Sequence, residues 1–237
     1  MYNSQGMTSA EVASRLGITS VSVRQLLKSG RLIQSGIAGQ TILIDPVSVE
    51  RLTATGTRRG TAWAPATAWA ALALLSGQDV KWFRSSSERS RLKKSLQSLD
   101  ANEVQLLSRN KAATARYRAV PEAVSMVEEY LMVSGGAAMR DKPTAARFGL
   151  TGGGGYAEGY LMKGDAQSLI EAFGLISDPQ GNVTIREIES DEAFEEGRAP
   201  VAVIAVDLMD SLTTRERSAG TAVLEELLHG RDVERSR

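Results

Sequence analysis

The sequence predicts a mainly helical α+β fold: a small N-terminal module of helices and a hairpin, followed by a larger, mixed α/β body. Three observations predict it. Formal charge sums to zero but is divided along the chain, residues 1–118 carrying 17 Lys/Arg against 7 Asp/Glu and residues 119–237 carrying 11 against 21. Helical periodicity with complete end signals dominates the first part, and short apolar stretches bounded by Gly, Asn and Asp enter in the second. A hydrophobic content of 42% over 237 residues is enough to build cores. The sequence predicts an N-terminal module at 1–53, a linker at 54–65, a basic helical region at 66–118 and an acidic α+β domain at 119–237.

Composition also excludes. The longest apolar runs, Ala68 to Leu75 and Val201 to Val206, fall far short of the roughly 20 residues of a membrane span. The first residues lack the basic start and apolar core of a signal peptide and the chain has no cysteine, so a cytoplasmic, reducing setting is expected. One histidine, His229, stands beside Gly230 in a helix-ending pattern, where a cation suits the terminal carbonyls better than a catalytic or zinc constellation does. No catalytic residue, metal or cofactor is expected.

The N-terminal module is the most fully punctuated stretch. Thr8 and Glu11 form a capping box, Val12, Ala13 and Leu16 give one apolar face, and Gly17 stops the helix. Thr19 or Ser20 caps a second helix whose Val23, Leu26 and Leu27 face the first, with Gly30 as its end. Two short helices joined by a glycine-containing turn are a DNA-reading unit. Ser20, Ser22, Arg24, Gln25 and Lys28 are then left outward, the residue types that reach phosphates or base edges, with Arg24 the foremost candidate. From Arg31 to Asp45 short apolar runs flank a turn containing Gly36 and Gly39, as a β-hairpin wing would, with Gln40 near its tip. Pro46 opens a third helix with Val47, Val49 and Leu52, completing a winged helix-turn-helix.

Residues 54–65 read as a linker. Arg58 and Arg59 there suit an arm entering an adjacent minor groove, or simply a solvated linker. Ala66 to Leu75 reads as a buried helix anchored by Trp63 and Trp69 and ended by Gly77. Glu88 to Leu99 reads as an amphipathic helix with Arg89, Arg91, Lys93 and Lys94 outside, a face for the DNA backbone or for solvent. Asp100 and Glu103 form a second capping box for a helix to Leu107. A short strand carries Arg116, Tyr117 and Arg118, and Pro121 starts a helix to about Met132.

In the acidic half, the glycines Gly152 to Gly155 lack the spacing of a phosphate loop and read as a loop before a strand Tyr156 to Met162. Asp165 caps a helix through Phe173, ended by Gly174, and Asp178 to Asn182 is a tight turn into a strand Val183 to Ile188. The acidic run from Glu187 to Glu196 is a loop or a solvated face. Val201 to Leu208 is apolar throughout and buried as strand or helix, which periodicity alone does not decide. Asp207 and Asp210 are expected in capping and salt bridging rather than in metal binding. Thr213 and Glu216 form a third capping box, opening a helix that Gly230 ends, after which Arg231 to Arg237 fray.

Two resemblances follow from these residues. The N-terminal module resembles the excisionase and MerR winged-helix group through Leu16-Gly17-Ile18, Val23 to Leu26 and Ser29-Gly30-Arg31-Leu32. The remainder resembles the AbiE-type (AbiEi-like) antitoxins of bacterial abortive-infection systems. The carrying residues are Arg109-Asn-Lys-Ala, Tyr117-Arg-Ala-Val-Pro121, Tyr156 to Met162 with Asp165 and Leu169, Asp178-Pro-Gln-Gly-Asn-Val183, and Asp207 to Gly220. The resemblance implies a cytoplasmic DNA-binding antitoxin in phage defence, which represses its own operon and counteracts a nucleotidyltransferase toxin encoded beside it. The expected partner is operator DNA, with that toxin counteracted either by direct contact or indirectly, a homodimer on DNA compatible and no membrane. The alternative is an excisionase/MerR-like transcriptional regulator whose C-terminal domain binds a ligand or a protein.

Overall fold

A computed structural model describes residues 6–28, 31–39, 41–55, 62–211 and 213–233. Among the described residues helix predominates over strand, so the fold is mixed α/β. The chain divides into two compact units, Met1–Arg59 and Gly60–Arg237.

The first unit runs β1 (Met7–Thr8), α1 (Ser9–Leu16), α2 (Ser20–Lys28), β2 (Gln34–Ala38), β3 (Thr41–Ile44) and α3 (Pro46–Thr55). Among the described residues the strands form an antiparallel sheet in the order β1-β3-β2. The Thr8/Glu11 box closes in both directions and Gly17 ends α1 in the left-handed region at φ 63°. Gly36 does not lie in the hairpin turn: it is paired within β2, at a register shift that bends the strand, while Gly39 (φ 61°) serves the turn. Gly30, expected to end α2, lies outside the described residues, as does Ser29 of the Ser-Gly-Arg-Leu sequence. The core draws one or two side chains from nearly every element: Val12, Val23, Leu32, Ile44, Val49 and Leu52. Ser48 pins the hairpin to α3, its hydroxyl donating to the Asp45 carbonyl (2.7 Å) and accepting from the Ile33 amide (3.1 Å).

The second unit opens with α4 (Pro65–Leu75), α5 (Ser86–Leu96) and α6 (Ala101–Leu107), continues through β4 (Ala113–Arg118), α7 (Pro121–Glu128), β5 (Met132–Val133), a 3₁₀ turn (Gly135–Arg140), α8 (Lys142–Phe148), β6 (Ala157–Met162), α9 (Ala166–Phe173), β7 (Ile176–Ser177) and β8 (Val183–Ile188), and closes with α10 (Val201–Met209) and α11 (Thr214–Val233). Its sheet has the order β5-β6-β8-β4-β7 among the described residues, with β6 and β8 parallel and the other pairs antiparallel. Alternation sorts the strands onto two cores. Val183, Ile185 and Ala157 join α7 and α9 on one face, while Tyr160 and Ile188 join α4, α6, α10 and α11 on the other. The periodicity left Val201 to Leu208 undecided; it is helix α10, buried on every side because α4, α6, α11 and the 3₁₀ turn surround it.

Several sequence expectations need correction. Residues 66–118 and 119–237 do not pack as separate bodies, because one core spans Trp69 to Leu228. Helix α5 begins at Ser86 rather than Glu88, under a Ser85/Glu88 capping box. Helix α7 stops at Glu128, since Met132 pairs with Tyr160 in the sheet. Asp165 stands before α9 in a helical conformation (φ −82°, ψ −22°), so its side chain makes no cap hydrogen bond. Thr213 accepts from the Glu216 amide at 3.3 Å, but the Glu216 carboxylate takes the Ser211 hydroxyl, and the Thr213 amide donates to Ser211 Oγ (3.1 Å), so that box is open on one side. Gly230 does not end α11, which runs on to Val233; His229 sits inside it, Nδ1 2.7 Å from the Glu225 carbonyl.

Candidate nucleic-acid interface

Helix α2 is held by its first turn and its inner face. The Thr19 hydroxyl accepts the Ser22 amide at 3.1 Å and lies 3.0 Å from the Ser22 hydroxyl. Val23 is fully buried, and Leu26 and Leu27 lean on the same core. What remains outward is Ser20, Val21, Arg24, Gln25 and Lys28. Positions 21, 24, 25 and 28 are spaced i, i+3, i+4, i+7, so they form one stripe of the helix. The side chains of Arg24, Gln25 and Lys28 make no hydrogen bond or ion pair with any described residue.

The other sequence candidates are distributed differently. Ser22 is half-buried and turned into the cap. Arg31 is half-buried, its amide donating to the Leu26 carbonyl at 2.9 Å. Gln40, Arg58 and Arg59 lie outside the described residues. On the hairpin, Ile37 (66% exposed) and Ile42 (38%) oppose each other in register.

Arg24 and Lys28 of α2 stand in a unit of positive net charge. Met1–Arg59 carries 7 Lys/Arg against 3 Asp/Glu, a net of +4. All three acids are engaged elsewhere. Glu11 closes the α1 box, and hydrogen bonds from the Thr8 amide and hydroxyl hold its carboxyl below the ordinary range. Asp45 caps α3 through the Ser48 amide (3.0 Å), and Glu50 pairs with Arg15. The cations of the α2 stripe are thus left for an external anion.

The second unit shows the opposite treatment of charge: Asp207 forms salt bridges, as its sequence predicts, but its partners Lys111, Ser134, Tyr160 and Arg186, with Glu158 on Arg186, come from distant parts of the chain and gave no sequence signal. Asp207, fully buried on α10, lies 3.0 Å from Lys111 Nζ and 3.5 Å from Arg186 Nε. It also accepts from the hydroxyls of Ser134 (2.6 Å) and Tyr160 (2.8 Å). Arg186 donates to Glu158 at 2.6 Å, and Glu158 accepts the Gly136 amide at 3.0 Å. Trp69 fixes the strand-side end of Lys111, its indole N–H donating to the Lys111 carbonyl at 2.9 Å. Burial alone would raise the Asp207 carboxyl, but the Arg186 and Lys111 cations and the Ser134 hydroxyl hold it below its ordinary value. Burial dominates at Glu158 and pushes its carboxyl up, Arg186 opposing. Arg186 Nη1 is buried with no hydrogen-bond partner among the described residues. The cluster spends its charge internally and joins the basic tract (Lys111) to the acidic one (Glu158, Asp207).

The charge division is therefore not a division between folded bodies. Gly60–Arg237 contains 21 Lys/Arg and 25 Asp/Glu, a net of −4, where the halves of the sequence differ by about +10 and −10. Among the described residues no helix is long and apolar enough to cross a membrane. No family model, curated protein or solved structure matches the chain.

Proposed function

We propose that the chain is a duplex-DNA-binding regulator of the antitoxin type, an autorepressor of a toxin–antitoxin operon whose N-terminal unit docks as a winged helix-turn-helix. In this reading α2 enters the major groove, Arg24 pairs with guanine N7 and O6 or with phosphate, Gln25 reaches adenine, Lys28 holds a phosphate, and the β2–β3 hairpin lies against the backbone. The observation that carries it is the α2 stripe: two cations and an amide on one exposed helical face, with every acid of the unit engaged elsewhere. The second unit serves the antagonism of a nucleotidyltransferase toxin, which the resemblance of Arg109 to Gly220 implies; its exposed Met126 (52%), Tyr130 (62%) and Ile176 (68%) supply apolar surface for a protein contact.

A gel shift with the DNA upstream of the chain's own gene tests the reading. Arg24→Ala should cost about 1–3 kcal/mol and relax preference at one position, while Lys28→Ala should weaken all sequences alike and lower the salt slope by about 1. Equal loss on specific and random DNA for both variants refutes the roles given to them. Co-purification with the neighbouring toxin, weakened by neutralising the exposed Glu195 and Glu196, tests antagonism by contact; selective DNA binding without toxin contact leaves indirect antagonism or an excisionase/MerR-like regulator, which the neighbouring gene separates, a nucleotidyltransferase supporting the first and an integrase or transporter the second.

A further inference from the structure

We infer that Val21 is a specificity-determining residue, reading the 5-methyl group of one thymine in the major groove; the inference rests on the duplex-binding reading above and deepens it.

No packing contact of α2 calls for an apolar side chain at Val21. Val21 is 58% exposed, in the first turn of α2, directly after Ser20. Its neighbours on the helix, Val23, Leu26 and Leu27, point into the core and account for the packing of α2 on α1. Val21 belongs instead to the stripe of Arg24, Gln25 and Lys28, one and two turns below it. A β-branched residue loses rotamer freedom in a helix and gains nothing from water, so propensity does not explain it there.

The company it keeps selects the occupant. The buried centre of a protein–protein interface is depleted of charge, whereas this stripe places two unpaired cations and an amide within two turns of the valine. A major groove offers this combination: phosphates along the rim, acceptors on the base edges, and the thymine methyl as the apolar group on the floor. Base contacts in helix-turn-helix docking come from the N-terminal part of the reading helix, where Val21 lies, with Lys28 at the far end, nearer the backbone. The proposed order along α2 is therefore Val21 to a thymine methyl, Arg24 and Gln25 to base edges, and Lys28 to phosphate.

The test uses the full chain. Selection from a random duplex library identifies the bound sequence, and each thymine in it is then replaced by deoxyuridine, which removes only the methyl group. The expected result is one position at which the replacement weakens the wild type by roughly three- to tenfold and Val21→Ala by less than about twofold, with Val21→Ala on the thymine duplex matching the wild type on the deoxyuridine duplex. Selective binding in which no thymine couples to Val21 overturns this inference and leaves the duplex reading standing. Absence of any sequence selectivity overturns both, because then no base is read. Val21→Thr, which keeps one methyl and the β-branch, should fall between wild type and Val21→Ala, and an unaltered melting curve for both variants separates contact from folding.

Discussion

Replacing Asp207 by Asn keeps the side-chain volume and removes a charge that touches two buried cations. Lys111 and Arg186 are 5% and 4% exposed and Asp207 is 0% exposed, so water does not screen the change. The Asn carbonyl can still accept from Ser134 or Tyr160, but its amide N–H group would face the Lys111 ammonium, donor against donor. Removing one partner of a buried ion pair costs about 3–5 kcal/mol, chiefly through the charge left behind. For a unit of this size that lowers the melting temperature on the order of 10 °C, at roughly 2–4 °C per kcal/mol. Differential scanning calorimetry of the full chain reads it. Lys111→Met in the Asp207→Asn background should then recover part of the loss, leaving the double variant better than additive by about 0.5–3 kcal/mol. A fall below about 2 °C for Asp207→Asn, or strict additivity with Lys111→Met, would refute the claim that this cluster is a dry, mutually neutralising lock.

Gly220 on α11 runs against α10: a Cβ there would stand 2.4 Å from the Ala205 carbonyl and 3.0 Å from Leu208 Cβ. Alanine gains about 1 kcal/mol in helix propensity, but overpacking costs about 1–3, so Gly220→Ala should lower the urea midpoint; a raised midpoint would show that the helices separate freely. Thr8→Ala opens the α1 capping box and should cost about 1 kcal/mol, read as faster amide exchange in α1, with Thr8→Ser close to wild type. Glu158 sets a pH dependence. Its folded pKa lies above the ordinary 4.5, so its stabilising contribution is complete below 4.5 and is lost as pH climbs through the raised value. Acidifying from neutral towards 4.5 should therefore favour the folded second unit, and Glu158→Gln should remove that trend. Asp207 acts oppositely and lower: its pKa is depressed, so its contribution holds above 3.8 and is lost as pH falls further. A Glu158→Gln profile parallel to wild type between neutral pH and 4.5 would sink the assignment.

The legible parts of this chain are those decided within a few residues. The Thr8/Glu11 and Asp100/Glu103 boxes close as their i, i+3 spacing predicts, because a side chain at the N-cap reaches only its own first turn. Gly17 and Gly174 end helices at φ 63° and 59°, where Cβ-bearing residues are strained. The same local logic misplaced Gly230 and Asp165: a glycine can stay in a helix where tertiary packing continues it, and an Asp caps only from an extended backbone. The stretch 132–148, with β5, the 3₁₀ turn and α8, gave no periodic signal because its elements are two to seven residues long. In the candidate interface, Arg24, Gln25 and Lys28 were readable as outward residues, and their spacing already contained Val21, which residue type alone would have consigned to a core.

The amino-acid order alone determined where helices begin, which faces are apolar and which half carries each sign, because these depend on near neighbours and on counting. Where the charge is spent depended on folding. Asp207 finds Ser134 across 73 residues and Tyr160 across 47, and these encounters exist only once α10 is inserted beneath the sheet. Counting adds charges regardless of place, whereas a field depends on distance and dielectric. The basic residues 60–118 fold with the acidic tract, so the two units carry +4 and −4 where the halves of the sequence carry about +10 and −10, and within the first unit Arg24 and Lys28 have no counterion among the described residues.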